Sequence, residues 1–448
     1  MNPSALALVA CFSALTSFSQ FKFPLKASED KKYLVEQNGK PFFLNGCSLW
    51  RMPYAITYEE VKFLLEDRKK NNFNAIEIMI SPDVKPYQIN PDTMPIGHNA
   101  FFDNDVNKPN EEYFRHVDSV LELCNQMNIV VVLAPLYLGC CKDGWLEIIQ
   151  QYKDGESKCR EYGKWFANRY KHLPNLIWLN GGDHNPVPES IAFGEGVASI
   201  DTTHLHTSHA HPGKSSAERL KGVKWQTLSS AYTYFPAMET DTAWQYKHVY
   251  TQLYEEMLNR YKMPCILLES AYERERHITT QGLRRQAYWS LLSGASGAFF
   301  GHRDLYQLQN NWREGLKDPG SRSMKIFYDF VQSIPWYRMR SDWPHSLFVS
   351  GRGTFNATVY PGGEDYATAS YTSDSTVAAI YLPTSRKVGV NMSRFRGAVS
   401  ATWLDPSSGI SSKTSGVFKN SGIAYFSPPA AINKEGSEDW VLVLKTTK

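Results

Sequence analysis

Two acidic residues directly follow short apolar runs in the chain. Asp183 comes after Leu176–Leu179, an asparagine and two glycines, and Glu269 comes after Cys265–Leu268. Short continuous apolar runs predict strands buried on both faces, and in α/β proteins chemistry is placed at the carboxyl ends of such strands. Two carboxyl groups that meet there suit glycoside hydrolysis, in which one protonates the leaving oxygen and the other meets the developing oxocarbenium ion. A helix cap or an ion pair is the alternative for either residue alone.

Eight further residues near the ends of predicted strands are candidates to bind a sugar. Aromatic rings offer flat faces on which a sugar ring can stack, and histidines and carboxyl groups can hydrogen-bond to its hydroxyls. Core packing or a structural hydrogen bond is the alternative for each. Glu273 is also the reserve candidate for a catalytic acid, although the segment Glu273–Arg276 reads as an ion-pair network in a loop. The predicted substrate-binding residues are Trp50, Glu77, Tyr137, His209, His211, Tyr232, Glu273 and His302.

Four histidines lie close together in "HLHTSHAH", which raises the alternative of a zinc site in a metal-dependent barrel hydrolase. Side chains alternate between the faces of a strand, so His204 and His206 share one face, and His209 and His211 share the other. Metal-dependent barrel hydrolases usually carry a His-x-His pattern on the first strand, and "LNGCSLW" has none. We therefore predict neither a metal nor another cofactor, and expect His209 or His211 to hydrogen-bond to sugar hydroxyls.

The elements that must position these residues alternate between strand and helix from Lys40 to about Trp343. One helical segment, "TYEEVKFLLEDRKKN", begins with a capping box of Thr57 and Glu60. Eight strands that are each followed by a helix indicate an α/β fold of the (β/α)8 TIM-barrel class. A doubly wound open sheet is the alternative. The predicted strands are Phe42–Cys47, Phe73–Ile80, Ile129–Tyr137, Leu176–Gly181, His204–His209, Trp225–Tyr232, Cys265–Ser270 and Gly297–Gly301.

The pattern changes after Trp343 to short, alternating or β-branched segments separated by Gly, Pro, Asn and Ser. This pattern predicts a β-sandwich of about 100 residues, in which no catalytic constellation is visible. The predicted organisation is a leader over 1–20, a catalytic barrel over 21–343 and a sandwich over 344–448. We expect the sandwich to dock on the barrel near "IPWYRMRSDWP", where Trp336, Tyr337 and Trp343 offer an apolar seam.

The composition and the start of the chain bear on partners and location. With 48 basic and 45 acidic residues the net charge is only +3, which points away from nucleic acid and anionic membranes as partners. The first 20 residues are apolar and uncharged and predict a signal peptide, while Cys11 lies very early for a lipoprotein anchor. No later stretch reaches the ~18 apolar residues of a membrane span. We expect a periplasmic or extracellular protein.

Six cysteines follow the predicted leader, and their spacing matches no zinc motif. An even number in an exported chain permits disulfides. Cys140 and Cys141 are adjacent, and we expect them to be bridged elsewhere, with Cys159 as a candidate partner.

Several segments together resemble one family: "GKPFFLNGCSLW", "NNFNAIEIMI", "YGKWFANRYKHLPNLIWLNGGDHNP", "PCILLESAYE" and "RQAYWSLLSGASGAFFGH". They are similar to the apiosidase-like (β/α)8 glycoside hydrolases, glycoside hydrolase family 140 and its relatives. The tail resembles the β-sandwich that follows the barrel there, sometimes labelled a collagen-binding domain. The resemblance implies Asp183 as general acid/base, Glu269 as nucleophile, and an exported enzyme that acts on apiose-bearing pectic side chains.

The chain departs from the pattern of this family around the expected pocket. Cys47 stands where an acidic residue is expected on the first strand, Tyr306 replaces a tryptophan, and Ser229 and Tyr232 stand where a glutamine and a histidine are expected. Because these positions surround the pocket and not the catalytic pair, we expect the differences to affect which substrate is bound more than which reaction is catalysed. A non-catalytic carbohydrate- or matrix-binding protein on a barrel scaffold is the alternative from a different functional class.

The stereochemistry can also be predicted. In barrels of this type the acid and the nucleophile normally lie close enough to form a covalent glycosyl-enzyme, which retains the anomeric configuration. Asp183 is one methylene shorter than the more usual glutamate, and Gly181 and Gly182 can let the backbone advance into the barrel mouth. We therefore predict retention.

Overall fold

The computed structural model describes residues 21–81, 100–140, 142–234, 247–259, 262–309, 311–357 and 362–447. The predicted leader, with Cys11, and Cys141 lie outside the described residues. Within those residues, no helix combines the length and the apolar character needed to cross a membrane.

Eight parallel strands form the central sheet, and their order closes it into a barrel. The first and last of them, β4 (Leu44–Ser48) and β11 (Gly297–Phe300), pair in parallel. The remaining seam lies between β8 (Leu205–His209) and β9 (Ser229–Tyr232). It is bridged where the backbone N–H groups of Thr227 and Leu228 donate to the carbonyl of His206. The prediction of a (β/α)8 barrel is confirmed, and the open-sheet alternative is wrong. A small antiparallel sheet of β1 (Lys26–Ala27), β2 (Leu34–Val35) and β3 (Pro41–Phe42) precedes β4 (Leu44–Ser48), β5 (Ala75–Met79), β6 (Val130–Ala134), β7 (Leu176–Gly181), β8 (Leu205–His209), β9 (Ser229–Tyr232), β10 (Cys265–Glu269) and β11 (Gly297–Phe300).

Helices surround the barrel and bury their apolar faces against it. The predicted capping box is present, because the N–H of Glu60 donates to Thr57 Oγ1 and the N–H of Thr57 donates to Glu60 Oε2. The helices of the described residues are α1 (Met52–Ala55), α2 (Tyr58–Lys70), α3 (Glu111–Gln126), α4 (Leu146–Gln151), α5 (Gly155–Tyr170), α6 (Pro188–Ile200), α7 (Ser216–Arg219), α8 (Val249–Asn259), α9 (Thr280–Leu292), α10 (Arg303–Gln307), α11 (Trp312–Gly315) and α12 (Pro319–Ser333).

Two antiparallel sheets form the C-terminal β-sandwich, as predicted. Their facing sides share one apolar core, to which Ile380 and Leu442 contribute from one sheet and Val390 and Phe426 from the other. The strands are β12 (Met339–Ser341), β13 (Phe348–Ser350), β14 (Thr368–Thr372), β15 (Val377–Leu382), β16 (Val388–Asn391), β17 (Val399–Leu404), β18 (Ser411–Lys413), β19 (Ile423–Phe426) and β20 (Trp440–Thr446). The six-stranded sheet has the order β12-β14-β15-β20-β17-β18, and the three-stranded sheet has the order β13-β16-β19.

The sandwich packs directly on the barrel, mainly through α9. Arg284 and Asp439 form a fully buried ion pair with two hydrogen bonds of 2.9 Å. Beside this pair, the rings of Tyr288 and Tyr381 stack with centroids 4.9 Å apart. Both contacts join residues about 100 positions or more apart in the chain, so local sequence patterns do not reveal them.

The predicted apolar seam contributes at the edge of this interface. Trp336 packs edge-on against Phe43 at 5.2 Å, and Trp343 packs against Tyr254 of α8 at 4.8 Å. Tyr337 is 39% exposed. Direct docking near this connection is therefore confirmed, but the centre of the interface is α9 rather than the connection.

The cysteines differ from the prediction. Cys159 is free and buried on the inner face of α5, so its predicted role as a disulfide partner is wrong. Cys140 is disulfide-bonded. Cys47, Cys124 and Cys265 are also free and buried.

Candidate active site

Asp183 is held in the barrel mouth by an unusual turn at the end of β7. Gly181, Gly182 and Asp183 have φ values of 89°, 131° and 49°, a region that glycine adopts freely and aspartate tolerates. A Cβ atom on Gly182 would lie 2.3 Å from the ring of Tyr137, and one on Gly181 would lie 2.7 Å from the carbonyl oxygen of His209. The glycines therefore allow a left-handed turn and two close contacts, and together these place the Asp183 carboxyl group.

The Asp183 side chain is 21% exposed and is anchored on one side only. The hydroxyl of Tyr137 donates to Asp183 Oδ2 at 2.7 Å. Asp183 Oδ1 has no hydrogen-bond partner. Tyr137 thus positions the carboxyl group, whose side chain remains partly exposed to the cavity.

Glu269 is the last residue of β10 and is only 5% exposed. His209 Nε2 lies 2.7 Å from Glu269 Oε2. Burial and the charge of Asp183 raise the pKa of Glu269 to about 7, against the opposing effect of the hydrogen bond from His209. One oxygen of Asp183 and one of Glu269 lie within 4.8 Å of each other. The two carboxyl groups therefore form a close pair.

The His209 ring lies between these two carboxyl groups. Its Nδ1 accepts a hydrogen bond from the backbone N–H of Asp183 at 3.1 Å, so the ring proton resides on Nε2 and is donated to Glu269. Burial favours the neutral ring, but the hydrogen bond with Glu269 and the surrounding carboxylates raise the pKa of His209 to about 9. The N–H of Asp183 opposes this rise, because a second ring proton would have to displace it from Nδ1.

Glu77 lies beneath this pair and is fully buried. The hydroxyl of Ser48 donates to Glu77 Oε2 at 2.9 Å. Burial raises the pKa of Glu77 well above its usual range, and the charge of Glu269 adds to this effect. Glu77 is therefore a neutral carboxylic acid below the site rather than a group that contacts substrate.

The two carboxyl groups line a cavity of about 650 Å³ with an aromatic wall and a charged rim. Trp50 Nε1 donates to the hydroxyl of Tyr272 at 3.1 Å, which fixes two rings of that wall. Burial and the neighbouring His184 lower the pKa of His211 to about 4, so this residue is a neutral group beside Asp183. The aromatic lining residues are Trp50, Tyr137, Tyr232, Tyr234, Tyr272 and Tyr306, and the charged ones at the rim are Asp143, Arg274, Glu275, Arg276 and Arg303. Arg51 also lines the cavity but is buried.

The structure brings together most of the residues predicted from sequence. Besides Asp183 and Glu269, the cavity is lined by Trp50, Tyr137, His211 and Tyr232. His209 and Glu77 lie behind the carboxyl pair and do not line the cavity. The prediction that they contact substrate is therefore corrected: His209 contacts the carboxyl pair, and Glu77 lies beneath it.

Glu273 and His302 lie in a separate cluster outside the cavity. Glu273 accepts a hydrogen bond from the N–H of Gly320 at 3.0 Å, and His302 Nε2 donates to Asp318 Oδ2 at 2.7 Å. Both side chains turn away from the barrel mouth to hold the start of α12. Their predicted role in binding substrate is not supported by this placement.

Sequence reasoning missed lining residues that follow β9 and β10. Tyr272 and Tyr234 were not predicted, and the charged run next to Tyr272 has its partners elsewhere. Arg274 pairs with Asp304 at 2.6 Å, and the Arg276 guanidinium lies 4.4 Å from the centre of the Tyr234 ring. The position of Tyr272 three residues after Glu269, in "ESAYERE", was the available signal.

Of the residues that depart from the family pattern, two lie in the cavity and two do not. Tyr306 and Tyr232 line it. Cys47 points outward, where the guanidinium of Arg68 lies 3.8 Å from its sulfur, and Ser229 is fully buried. Only the first two can affect the shape of the pocket.

The contacts of the histidines on and before β8 bear on the alternative of a metal site. His204 Nδ1 contacts Asp201 at 2.5 Å, and His206 Nε2 contacts the carbonyl of the same residue, so this pair lies on the opposite face of β8 from His209, as predicted. Ligand atoms of Asp183, His209 and Glu269 lie within 4.8 Å of one another. However, both ring nitrogens of His209 are engaged in hydrogen bonds, so a metal would have to displace one of them.

Comparisons with known proteins agree with this architecture. The family model described as "Apiosidase-like, catalytic domain" matches residues 28–338, and that described as "Putative collagen-binding domain of a collagenase" matches residues 359–445. A solved structure titled "Glycoside hydrolase" is 23% identical, with a TM-score of 0.77 over 94% of this chain and 97% of its own. A glycoside hydrolase family 5 structure from Bacteroides vulgatus is 21% identical, with a TM-score of 0.80 over 96% and 95%. At these identities the two structures show a shared fold. A search of curated proteins found no match.

Proposed function

Because the chain belongs to the apiosidase-like family of glycoside hydrolases, we propose that its cavity cleaves a glycosidic bond by a retaining, two-carboxylate mechanism. Asp183 is the general acid/base and Glu269 the nucleophile. The observation that carries the proposal is the close approach of these two carboxyl groups at the mouth of the barrel, with their nearest oxygens within 4.8 Å.

The reaction proceeds in two steps. Glu269 attacks the anomeric carbon while Asp183 protonates the leaving oxygen, which gives a covalent glycosyl-enzyme. Asp183 then removes a proton from water, and this water releases the sugar from Glu269. The separation supports this scheme, because retaining enzymes hold their carboxyl groups ~5–5.5 Å apart and inverting enzymes ~6.5–9.5 Å apart.

The substrate is a plant-type pectic polysaccharide, with apiose as the candidate sugar. The family supports apiose, and the aromatic wall of the cavity suits the faces of sugar rings. The arginine side chains at the rim suit the carboxylates of pectic uronic acids. The enzyme acts outside the cytoplasm; the apolar leader and the disulfide at Cys140 support this location.

A product screen on pectic, hemicellulosic and host-glycan panels tests the proposal. Wild-type protein should release sugar from a pectic substrate, and Glu269→Gln should not. Binding of glycans with no product from any panel would instead favour the alternative, a non-catalytic carbohydrate- or matrix-binding protein.

An NMR time course on the substrate found in this way tests the stereochemistry. The first-formed product should have the anomeric configuration of the substrate, before mutarotation mixes the anomers. An inverted first product would contradict the retaining mechanism and make Glu269 the base that activates water.

A further inference from the structure

His209 lies where it can act on both carboxyl groups but not on the sugar. Its side chain is only 1% exposed. The ring is enclosed by Trp50, whose ring centre lies 5.3 Å away, and by Tyr232 at 4.7 Å. Because these residues and the two carboxyl groups separate it from the cavity, the ring cannot hydrogen-bond to a sugar hydroxyl.

The hydrogen bonds of the ring define where its proton is. The backbone N–H of Asp183 donates to Nδ1 at 3.1 Å, so the proton is on Nε2, which lies 2.7 Å from Glu269 Oε2. An N–H donor stabilises a carboxylate relative to a carboxylic acid. Glu269 therefore has a fixed N–H donor that stabilises its anion, while Asp183 accepts from the hydroxyl of Tyr137 at Oδ2 and has no donor at Oδ1.

We infer that His209 is a positioning residue that, by donating from Nε2, stabilises the ionised form of Glu269. This inference rests on the proposed function, in which Glu269 must be an anion and Asp183 an acid when substrate binds. The peptide N–H of Asp183 selects the ring tautomer, and the ring then sets the charge of Glu269.

Other titratable groups also face the ring, and they define what a pH experiment would report. Asp183 approaches from the end of β7, Glu269 from β10, Glu77 from β5 and Tyr232 from β9. Burial raises the pKa of both Glu77 and Tyr232 well above their usual ranges. Glu269, with a pKa of about 7, is therefore the group facing the ring that is expected to titrate closest to neutral pH.

Two substitutions separate the two hydrogen bonds of the ring. In His209→Gln the amide nitrogen can replace Nε2 and still donate to Glu269, but the acceptor at Nδ1 is lost. In His209→Asn the amide oxygen can replace Nδ1 and accept from Asp183, but nothing donates to Glu269. His206→Gln is the matched control, because His206 is a buried histidine of the same strand on the opposite face.

The inference predicts different rates for these variants. His209→Asn should lower kcat by about 10- to 100-fold, the effect of a lost hydrogen bond to a charged group, with KM nearly unchanged. Its acidic limb of activity should move to higher pH, because losing the hydrogen bond from His209 raises the pKa of Glu269, which must be ionised to attack. His209→Gln should keep most of kcat, and His206→Gln should match the wild type in both rate and pH profile.

Several results would overturn the inference. These are a wild-type kcat in His209→Asn, a change in its KM alone, or a larger loss of kcat in His209→Gln than in His209→Asn. If the variants do not fold, ¹⁵N NMR of the wild-type ring still decides: a protonated Nε2 that is hydrogen-bonded to Glu269 is expected at pH 7, and an unprotonated Nε2 contradicts the inference. If Asp183→Asn and Glu269→Gln keep their activity, it is the proposed function that fails.

Discussion

At the scale of single residues, Asp183 and Glu269 have distinct surroundings that suit distinct roles. Asp183→Asn and Glu269→Gln keep the shape of each side chain and remove only its ionisable oxygen. Each should lower kcat/KM by at least about 10²- to 10⁴-fold on the substrate from the screen, with circular dichroism unchanged. Glu273→Gln is the control, since Glu273 is a buried acid outside the cavity, and it should retain activity. A variant of the pair with more than about a tenth of the wild-type rate would refute its role.

The raised pKa of Glu269 also predicts how stability depends on pH. Its pKa is about 7 in the folded protein, against an ordinary value of 4.5, so the folded state binds the proton more tightly. The stability it contributes is present in full below about pH 4.5 and is lost as the pH rises to about 7. Glu269→Gln should therefore raise Tm more at pH 8 than at pH 5 in thermal denaturation. Equal shifts at both pH values would contradict this, and the exposed Glu29→Gln serves as the control.

At the scale of elements, the turn after β7 connects backbone conformation to the site. Gly182→Ala would place a Cβ atom 2.3 Å from the ring of Tyr137 at a φ of 131°. It should displace Tyr137 from Asp183, lower kcat about tenfold or more through the lost hydrogen bond to a charged group, and destabilise the fold by about 1–3 kcal/mol. Kinetics and thermal denaturation of the purified variant measure both effects.

Gly222→Ala is the matched control for that substitution. Gly222 also has a positive φ, of 92°, but a Cβ atom there meets nothing within 4 Å. The stability that Gly222→Ala loses should come from backbone strain alone, and its kcat should be unchanged. If both variants lost stability alone, the contact between Gly182 and Tyr137 would have no role in the site.

At the scale of the whole molecule, the barrel and the sandwich are joined by a buried ion pair. Arg284→Met would leave the carboxylate of Asp439 buried without its partner. Removing one member of such a pair costs about 3–5 kcal/mol, which urea denaturation can measure. Arg284→Met/Asp439→Leu should recover much of this loss, because the unpaired charge is gone. Lys317→Met, at an exposed pair with Glu314, should cost less than about 1 kcal/mol.

The same interface should make the barrel and the sandwich unfold together. Since α9 belongs to the barrel and packs its buried face on the sandwich, we expect wild-type protein to unfold in one transition. Two well-separated transitions in calorimetry, with Arg284→Met affecting only one, would show that the interface contributes little to coupling.

The sequence by itself determined the strands and the two acids at their ends. Continuous apolar runs such as Leu176–Leu179 and Cys265–Leu268 are local signals, because a strand that is buried on both faces has consecutive apolar residues. The capping box at Thr57 is local in the same way. The apolar run followed by a carboxyl group therefore predicted both Asp183 and Glu269 without tertiary information.

Only the tertiary structure decided how the other candidates are arranged. His209 is 60 residues from Glu269 in sequence, and Tyr137 is 46 residues from Asp183, so their hydrogen bonds arise only when the barrel closes. Glu273 follows the same strand as Glu269, yet the loop turns it toward α12, and no local pattern specifies the direction of a loop side chain. Residue type and spacing thus predicted the carboxyl pair and part of the cavity lining, whereas packing between distant segments determined which of the other candidates line the cavity and which contact the carboxyl pair or lie elsewhere.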